Sequence, residues 1–218
     1  MGAVGPKLLL EVAGRTALAR VVESFLRVGG VGEIVAVVPA DLRSRAEGAL
    51  AAIPNPRRVR LAAAAGGATR QESVRLGLAA LSMELPYVAV HDVARVLVRP
   101  ALIERVLEAA RATGAAIPTL PIADSVKEIS GGRVVRSLPR ERLEGAQTPQ
   151  IFARDIILRS HARALERGES ATDDAALVER IGEPVAAVEG DPANVKVTSP
   201  SDVMLLEALL RSGFQTEA

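Results

Sequence analysis

Between residues 17 and 120 short apolar runs alternate with stretches of helical periodicity, and this alternation constrains the fold more than any other feature. Leu18, Val21, Val22, Phe25 and Leu26 recur at helical spacing behind Thr16, a residue suited to cap a helix start, and the pattern stops near Gly29-Gly30. Residues 33–38 then read as a strand ended by Pro39, 41–53 as a helix broken by Pro54-Asn55-Pro56, and 59–63 as a second strand. A helix over 70–81, a strand over 87–91, a helix over 101–113 closed by Gly114 and a strand over 115–120 complete the series. Strands alternating with helices imply a parallel sheet with right-handed crossovers and helices on both faces, a doubly wound α/β fold. With 218 residues, the whole chain, 1–218, is expected to form a single domain.

The stretch Tyr87-Val-Ala-Val-His91-Asp92-Val-Ala-Arg95 is where this fold meets chemistry. A continuous apolar run between turn signals suits a strand buried on both faces. His91, Asp92 and Arg95 would emerge at its C-terminal end, the edge at which open α/β sheets bind ligands. They are either a site or a salt-bridged strand end. Gly66-Gly67, ahead of a helix carrying Arg70 and Ser73, reads either as an ordinary strand-to-helix turn or as a loop bringing backbone N–H groups close to an anion. Lys196, between Val195 and Val197 in what reads as a short strand, points away from both valines, as an outward side chain or as a lysine aimed at an anion. Gln147-Thr148-Pro149-Gln150 reads as a turn, and Lys7, Arg140 and Lys127 as solvated surface charges.

Composition removes several functions. There is no cysteine, hence no disulfide, thiol nucleophile or thiolate metal site, and two histidines leave little for zinc. A net charge of +1 and 2% aromatic residues argue against nucleic acid as a partner. No apolar run approaches the ~20 residues needed to span a bilayer. Leu8-Leu9-Leu10 is cut short by Glu11, so no signal peptide is read and a soluble, cytoplasmic chain without a membrane partner is expected.

Beyond Pro121 the alternation stops. Asp124 to Val135, with Gly131-Gly132 at its centre, looks like a polar hairpin or arm. A helix-free stretch of this length inside a compact domain usually contacts a partner or covers a site. Helical reading resumes near Ala153, Thr172-Asp173-Asp174 precedes a short helix, residues 185–188 and 195–197 read as strands, and Ser199-Pro200 starts a last helix.

Taken in order, Pro6-Lys7, Gly66-Gly67 with Arg70 and Ser73-Val74, His91-Asp92-x-Ala94-Arg95, Thr148-Pro149-Gln150-x-Phe152, Thr172-Asp173-Asp174, and Glu189-Gly190 followed by Asn194-Val195-Lys196-Val197-Thr198 resemble one family. It is that of 2-C-methyl-D-erythritol 4-phosphate cytidylyltransferase, an enzyme of non-mevalonate isoprenoid biosynthesis. The resemblance implies a nucleotidyltransferase domain whose β-arm, here 121–147, joins two subunits into a homodimer. The implied reaction is attack of methylerythritol phosphate on the α-phosphate of CTP, with release of pyrophosphate and help from Mg²⁺ or another divalent metal. Lys7, Arg140 and Lys196 resemble the family's catalytic cations, the last two gripping the attacking phosphate and Arg140 reaching across the dimer. Gly66, Gly67 and Ser73 resemble the nucleotide-binding residues. Asp92, Arg95, Ser125 and Thr148 resemble substrate-binding ones, with Asp92 also the candidate metal ligand. A related family acting on ribitol 5-phosphate is the alternative, as is a binding protein impaired in catalysis.

Two departures carry expectations. The family's Asp-Ala-Ala-Arg-Pro appears as Asp92-Val93-Ala94-Arg95-Val96, so a proline is replaced. The family also opens with a strand and a Gly-rich phosphate loop, and Met1-Gly2 aligns with the last two residues of that loop. The expectation is therefore that two central strands lack a neighbour and that this form binds CTP weakly and turns over slowly. A start assigned too late, at an internal Met, would account for this, and an in-frame stop directly upstream would sink that explanation. Few residues follow the last helix, so no fused second enzyme is expected within this sequence.

Overall fold

A computed structural model describes residues 10–12 and 14–212. Two short strands, β1 (Glu11–Val12) and β2 (Arg15–Thr16), turn through Gly14 at φ 72° and deliver the chain to α1 (Ala17–Arg27). The Thr16 hydroxyl accepts the Ala19 N–H, as a helix cap should. Then come β3 (Glu33–Val38), α2 (Arg43–Ala51), β4 (Arg60–Ala65), α3 (Arg70–Ala80), β5 (Tyr87–Val90), α4 (Pro100–Thr113) and β6 (Ala115–Pro121). The alternation read from the sequence is thus present, with boundaries moved by one or two residues. Gly114 closes α4 at φ 86°, a conformation that favours glycine.

The arm is a hairpin of β7 (Val126–Ser130) and β8 (Arg133–Leu138), antiparallel and turned by Gly131-Gly132, followed by β9 (Glu144–Ala146) along the end of β6. Next are β10 (Gln150–Ala153), α5 (Arg154–Arg167), α6 (Asp174–Arg180), β11 (Ala186–Glu189) and α7 (Pro200–Arg211). The main sheet runs β11-β6-β10-β5. β11 is parallel to β6, and β10 is antiparallel to both β6 and β5, so β5, β6 and β11 all point the same way. β3 and β4 form a separate parallel pair.

Two readings need correction. Gln150 begins a strand, because Ile151 and Phe152 are inserted between β5 and β6, where they are 2% and 0% exposed. Residues 195–197 are not in a strand: Val197 makes a single backbone bond to Ala94, and no ladder forms beside it.

A third correction concerns the strand expected to be buried on both faces. None of the β5 residues is buried, and Ala89 is exposed. Among the described residues β5 pairs only with β10 and β3 only with β4, so each leaves one edge unpaired. The two free edges face a common cavity of about 480 Å³, lined by Phe25, Ile34, Val37, Val74, Val88 and Val90 among others. The strands flanking it run in the same direction. At their starts, the Glu33 carboxylate accepts the N–H groups of Ser82 and Met83, just before β5. At their ends, Arg70 spans from the helix that follows β4 to Asp92, just beyond β5.

Helix α1 holds the two parts together. Leu18, Val22 and Leu26 pack with Ala46, Leu50 and Val38 on one side, while Val21 and Phe25 pack with Leu102, Val106 and Ile151 on the other. The opposite face of the main sheet is covered by α5 and α6 through Phe152, Ile157 and Val178. An apolar cavity bounded by open strand edges predicts that the folded chain enhances the fluorescence of a hydrophobic dye at neutral pH. Emission that appears only on unfolding would contradict an accessible slot.

Candidate active site

Asp92 stands where β5 ends, and the sequence presents it there through the local path of the chain. Its backbone N–H donates to the Thr148 hydroxyl at 3.1 Å, and that hydroxyl lies 3.0 Å from His91 Nδ1. His91 Nε2 is 3.1 Å from the Arg95 carbonyl. The network assigns one consistent set of protons: the Thr148 hydroxyl donates to Nδ1, and Nε2–H donates to the carbonyl. Burial pushes the His91 imidazole down to about 4, against the raising effects of its hydrogen bonds and of Asp92, so at neutral pH it is an uncharged strut.

The Asp92 carboxylate lies between two cations. Lys196 Nζ donates to Oδ2 at 2.6 Å and Arg70 Nε to Oδ1 at 3.2 Å. Burial works to raise this carboxyl, but the hydrogen bonds and charges of Lys196 and Arg70 outweigh it and hold the group below the usual carboxylate range. Arg70 is itself held above its ordinary value: burial lowers it, and Asp174 and Asp92 more than compensate.

Lys196 reaches this place because the loop before it is tied down by buried polar groups. Gln147 exchanges two bonds with the Asp191 backbone, at 2.9 and 3.0 Å, and Asn194, 0% exposed, donates to the Thr148 carbonyl at 2.8 Å. Arg95 closes the same seam, donating to the carbonyls of Asn194 at 2.7 Å and Ala146 at 3.2 Å. A buried amide bonded through both its nitrogen and its oxygen, as Gln147 is, fixes a loop's path more firmly than the loop's own sequence would.

The glycine turn adjoins this centre. Gly66 N–H donates to the Val38 carbonyl at 2.7 Å and Gly67 N–H to the Ser73 hydroxyl at 3.1 Å, while that hydroxyl donates to the Thr69 carbonyl at 2.8 Å. A Cβ on Gly66 would lie 2.8 Å from Ser73 Oγ, and one on Gly67 would lie 2.2 Å from Glu72 Cγ, so both positions require glycine unless their neighbours shift.

The expected site residues therefore separate into groups. Asp92 and Lys196 meet directly, with Gly66, Gly67 and Ser73 at the adjoining turn. Thr148 and Arg95 are next to them but act on backbone: Thr148 is 5% exposed and fixes the Asp92 amide. Ser125 and Arg140 lie exposed on the arm, where the Arg140 guanidinium bonds the Ala123 carbonyl, and no described bond joins either to Asp92 or Lys196. Lys7 and the residues around Met1 lie outside the described residues. Arg70 was legible as part of the glycine-turn motif but not as a partner of Asp92. The available signal was its place in the first turn of the helix that starts beside the same sheet edge.

Among the described residues no three His, Asp or Glu side chains gather as a metal cage. Asp92 offers a single carboxylate, which fits Mg²⁺ held partly by substrate phosphates and water rather than by protein alone.

A sequence profile of the family described as "IspD: 2-C-methyl-D-erythritol 4-phosphate cytidylyltransferase" matches residues 1–212. The chain belongs to that family. It is 43% identical over 212 residues to the bifunctional enzyme IspD/IspF of Nitrobacter hamburgensis, covering 96% of this chain and 51% of that one. The chain thus spans about half the length of these bifunctional relatives. It is 42% identical to the 2-C-methyl-D-erythritol 4-phosphate cytidylyltransferase of Nocardia farcinica, over 96% of this chain and 88% of the relative. The crystal structure of the Thermus thermophilus cytidylyltransferase superposes with a TM-score of 0.79 at 41% identity, covering 96% of this chain and 95% of that one. The 4-diphosphocytidyl-2C-methyl-D-erythritol synthase of Anaerococcus prevotii does so with a TM-score of 0.86 at 28% identity, over the same shares. The nucleotidyltransferase-type α/β fold of the family is therefore the fold of this chain.

Proposed function

We propose that this chain transfers CMP from CTP to 2-C-methyl-D-erythritol 4-phosphate, giving 4-diphosphocytidyl-2-C-methyl-D-erythritol and pyrophosphate. The observation that carries the reading is the Asp92 carboxylate set between Lys196 and Arg70 at the sheet edge, in a chain of this family. A phosphate oxygen of the acceptor forms a bond to the α-phosphorus as the bond from that phosphorus to the bridging α–β oxygen breaks, and pyrophosphate leaves with the electron pair. Two anions must approach and negative charge builds on the α-phosphoryl group, so fixed cations are the main requirement and no covalent nucleophile is needed.

Lys196 suits the task because its partner is exchangeable: half-exposed, it trades Asp92 for the incoming phosphate. Asp92, then relieved of one cation, orients a sugar hydroxyl or a metal, while Arg70 keeps hold of its other oxygen. Asp92 together with the triphosphate would hold Mg²⁺, which when bound neutralises phosphate charge. The Gly66-Gly67 turn and Ser73 are assigned to the cytosine, Ser125 to the acceptor, and Lys7 and Arg140 to the phosphates, while Thr148 and Arg95 serve the substrates by holding the backbone around Asp92 and Lys196.

The arm supports the homodimer. Its hairpin leaves Ile129, Val134 and Val135 more than half exposed, the composition of a contact surface rather than of a solvated loop. In that dimer Arg140 reaches the partner's site.

The test offers 2-C-methyl-D-erythritol 4-phosphate and ribitol 5-phosphate separately with CTP and Mg²⁺, following phosphorus resonances. A new diphosphate ester with the first acceptor alone is expected, with one pyrophosphate per product. Product with ribitol 5-phosphate alone moves the chain to the related activity, and CTP binding without product with either acceptor returns it to a binding role.

A further inference from the structure

The motif Thr172-Asp173-Asp174 and the histidine His161 have no part in the chemistry just described, yet both are built into the site from behind. Asp174 is 1% exposed and His161 3%. His161 Nε2 is 2.9 Å from Asp174 Oδ1, and Arg70 Nη1 donates to Asp174 Oδ2 at 2.8 Å. Arg70 Nε then reaches Asp92, and Lys196 completes the row. A second polar residue supports the first. Gln150, 1% exposed, accepts the N–H groups of Asp174 and Ala175 at 3.2 and 3.1 Å and donates to Asp173 Oδ2 at 2.8 Å.

We propose that Asp174, fixed by His161, is a positioning residue that divides the Arg70 fork and so leaves Asp92 one oxygen open to exchange. An arginine facing a single carboxylate tends to engage both of its oxygens in parallel. Here Asp174 anchors the far end of the guanidinium at Nη1, and the group held in that orientation reaches Asp92 through Nε, on Oδ1 alone. Oδ2 is left to Lys196, the partner that substrate can displace. Asp174 can do this only as an acceptor on both oxygens, one for Arg70 and one for His161. Nε2–H is the histidine proton that satisfies it, and Nδ1 is buried without a described partner. An unpaired buried carboxylate would be costly, so His161 secures the geometry as well as the charge.

The inference rests on the proposed transferase reaction, and its test separates the two. Asp174→Asn keeps the shape but removes the charge and one acceptor, and His161→Leu removes the donor, whereas His161→Gln restores a donor. Asp174→Asn and His161→Leu are expected to lower kcat by about 10- to 100-fold with KM for CTP nearly unchanged, and His161→Gln to recover most of it. Independently of turnover, the side-chain Nε–H resonance of Arg70, assigned by its absence in Arg70→Lys, should shift in Asp174→Asn and in His161→Leu. An unmoved resonance, or variants that lose thermal stability with kcat intact, would overturn the proposal. If the unaltered chain makes no product, the reaction reading fails, while the resonance still decides whether Asp174 and His161 govern Arg70.

Discussion

Lys196→Ala lowers kcat/KM for CTP and the acceptor by about 100- to 1,000-fold, the scale seen when one preorganised donor to a developing anion is removed. The expectation follows from the arrangement of charge. Asp92 is flanked by Lys196 and Arg70, and only Lys196 is both half-exposed and free of a second carboxylate among its described ion pairs. Arg70 is a poor substitute, because it is anchored between two carboxylates, by Nη1 to Asp174 and by Nε to Asp92. Lys196→Arg should recover little, since a guanidinium is longer, planar and tends to grip Asp92 with two bonds. Stability should barely change, because a half-exposed ion pair contributes at most about 1 kcal/mol. Steady-state pyrophosphate release and a thermal melt on the same preparations check both halves. A Lys196→Ala variant within about threefold of the parent would remove Lys196 from the chemistry.

The second large effect is on acid stability, and it comes from His91. In the folded chain burial holds this imidazole at about 4, whereas in the unfolded chain it returns toward its ordinary 6.5. Between those values the unfolded state binds a proton that the folded state refuses. Folding therefore has its full His91 contribution above pH 6.5 and loses it progressively as pH falls toward 4. At pH 5 the loss relative to pH 8 comes to about 2 kcal/mol. Asp92 and Glu33, whose carboxyls are also held low, have their stabilising effect above their ordinary values of 3.8 and 4.5 and lose it as pH falls through and below them, so most of their loss lies below the pH 5 measurement. Urea midpoints at pH 8 and pH 5 measure the effect, and His91→Gln, which keeps a polar side chain without a titrating ring, should flatten most of the slope. Parallel slopes for the two proteins would show that His91 is not the group responsible.

The order of elements from α1 to β6 was legible because each carries its own signal: short apolar runs between turn signals, and helical spacing such as that behind the capping residue Thr16. The errors fall where neighbours decide. Ile151-Phe152 is too short to announce a strand and becomes one by filling the space between β5 and β6. Val195-Lys196-Val197 alternates like a strand but has no edge to pair with. The run at Tyr87–Val90 has the composition of a doubly covered strand, and its exposure is set by the open slot beside it.

The site divides in the same way. Asp92 was legible because a strand end places it, whereas Lys196 was singled out by an alternation that forms no strand, and the loop held by Gln147 and Asn194 is what places it. That they touch was not legible, since 104 residues separate them. Arg70 with Asp174 is equally non-local, and Gln150 and His161 look in sequence like ordinary surface polar residues. Their roles come from burial, which makes an unpaired polar group costly and so favours these long-range bonds. Ser125 and Arg140 lie exposed on the arm, and nothing in their local sequence ties them to Asp92 or Lys196.

The measurement that bears most directly on the central claim is a phosphorus NMR time course of the unaltered 218-residue chain with CTP, Mg²⁺ and 2-C-methyl-D-erythritol 4-phosphate, run beside Lys196→Ala. The account predicts paired growth of diphosphate-ester and pyrophosphate signals in the first sample and near-absence of both in the second. Equal rates in the two samples, or pyrophosphate without the ester, would contradict it.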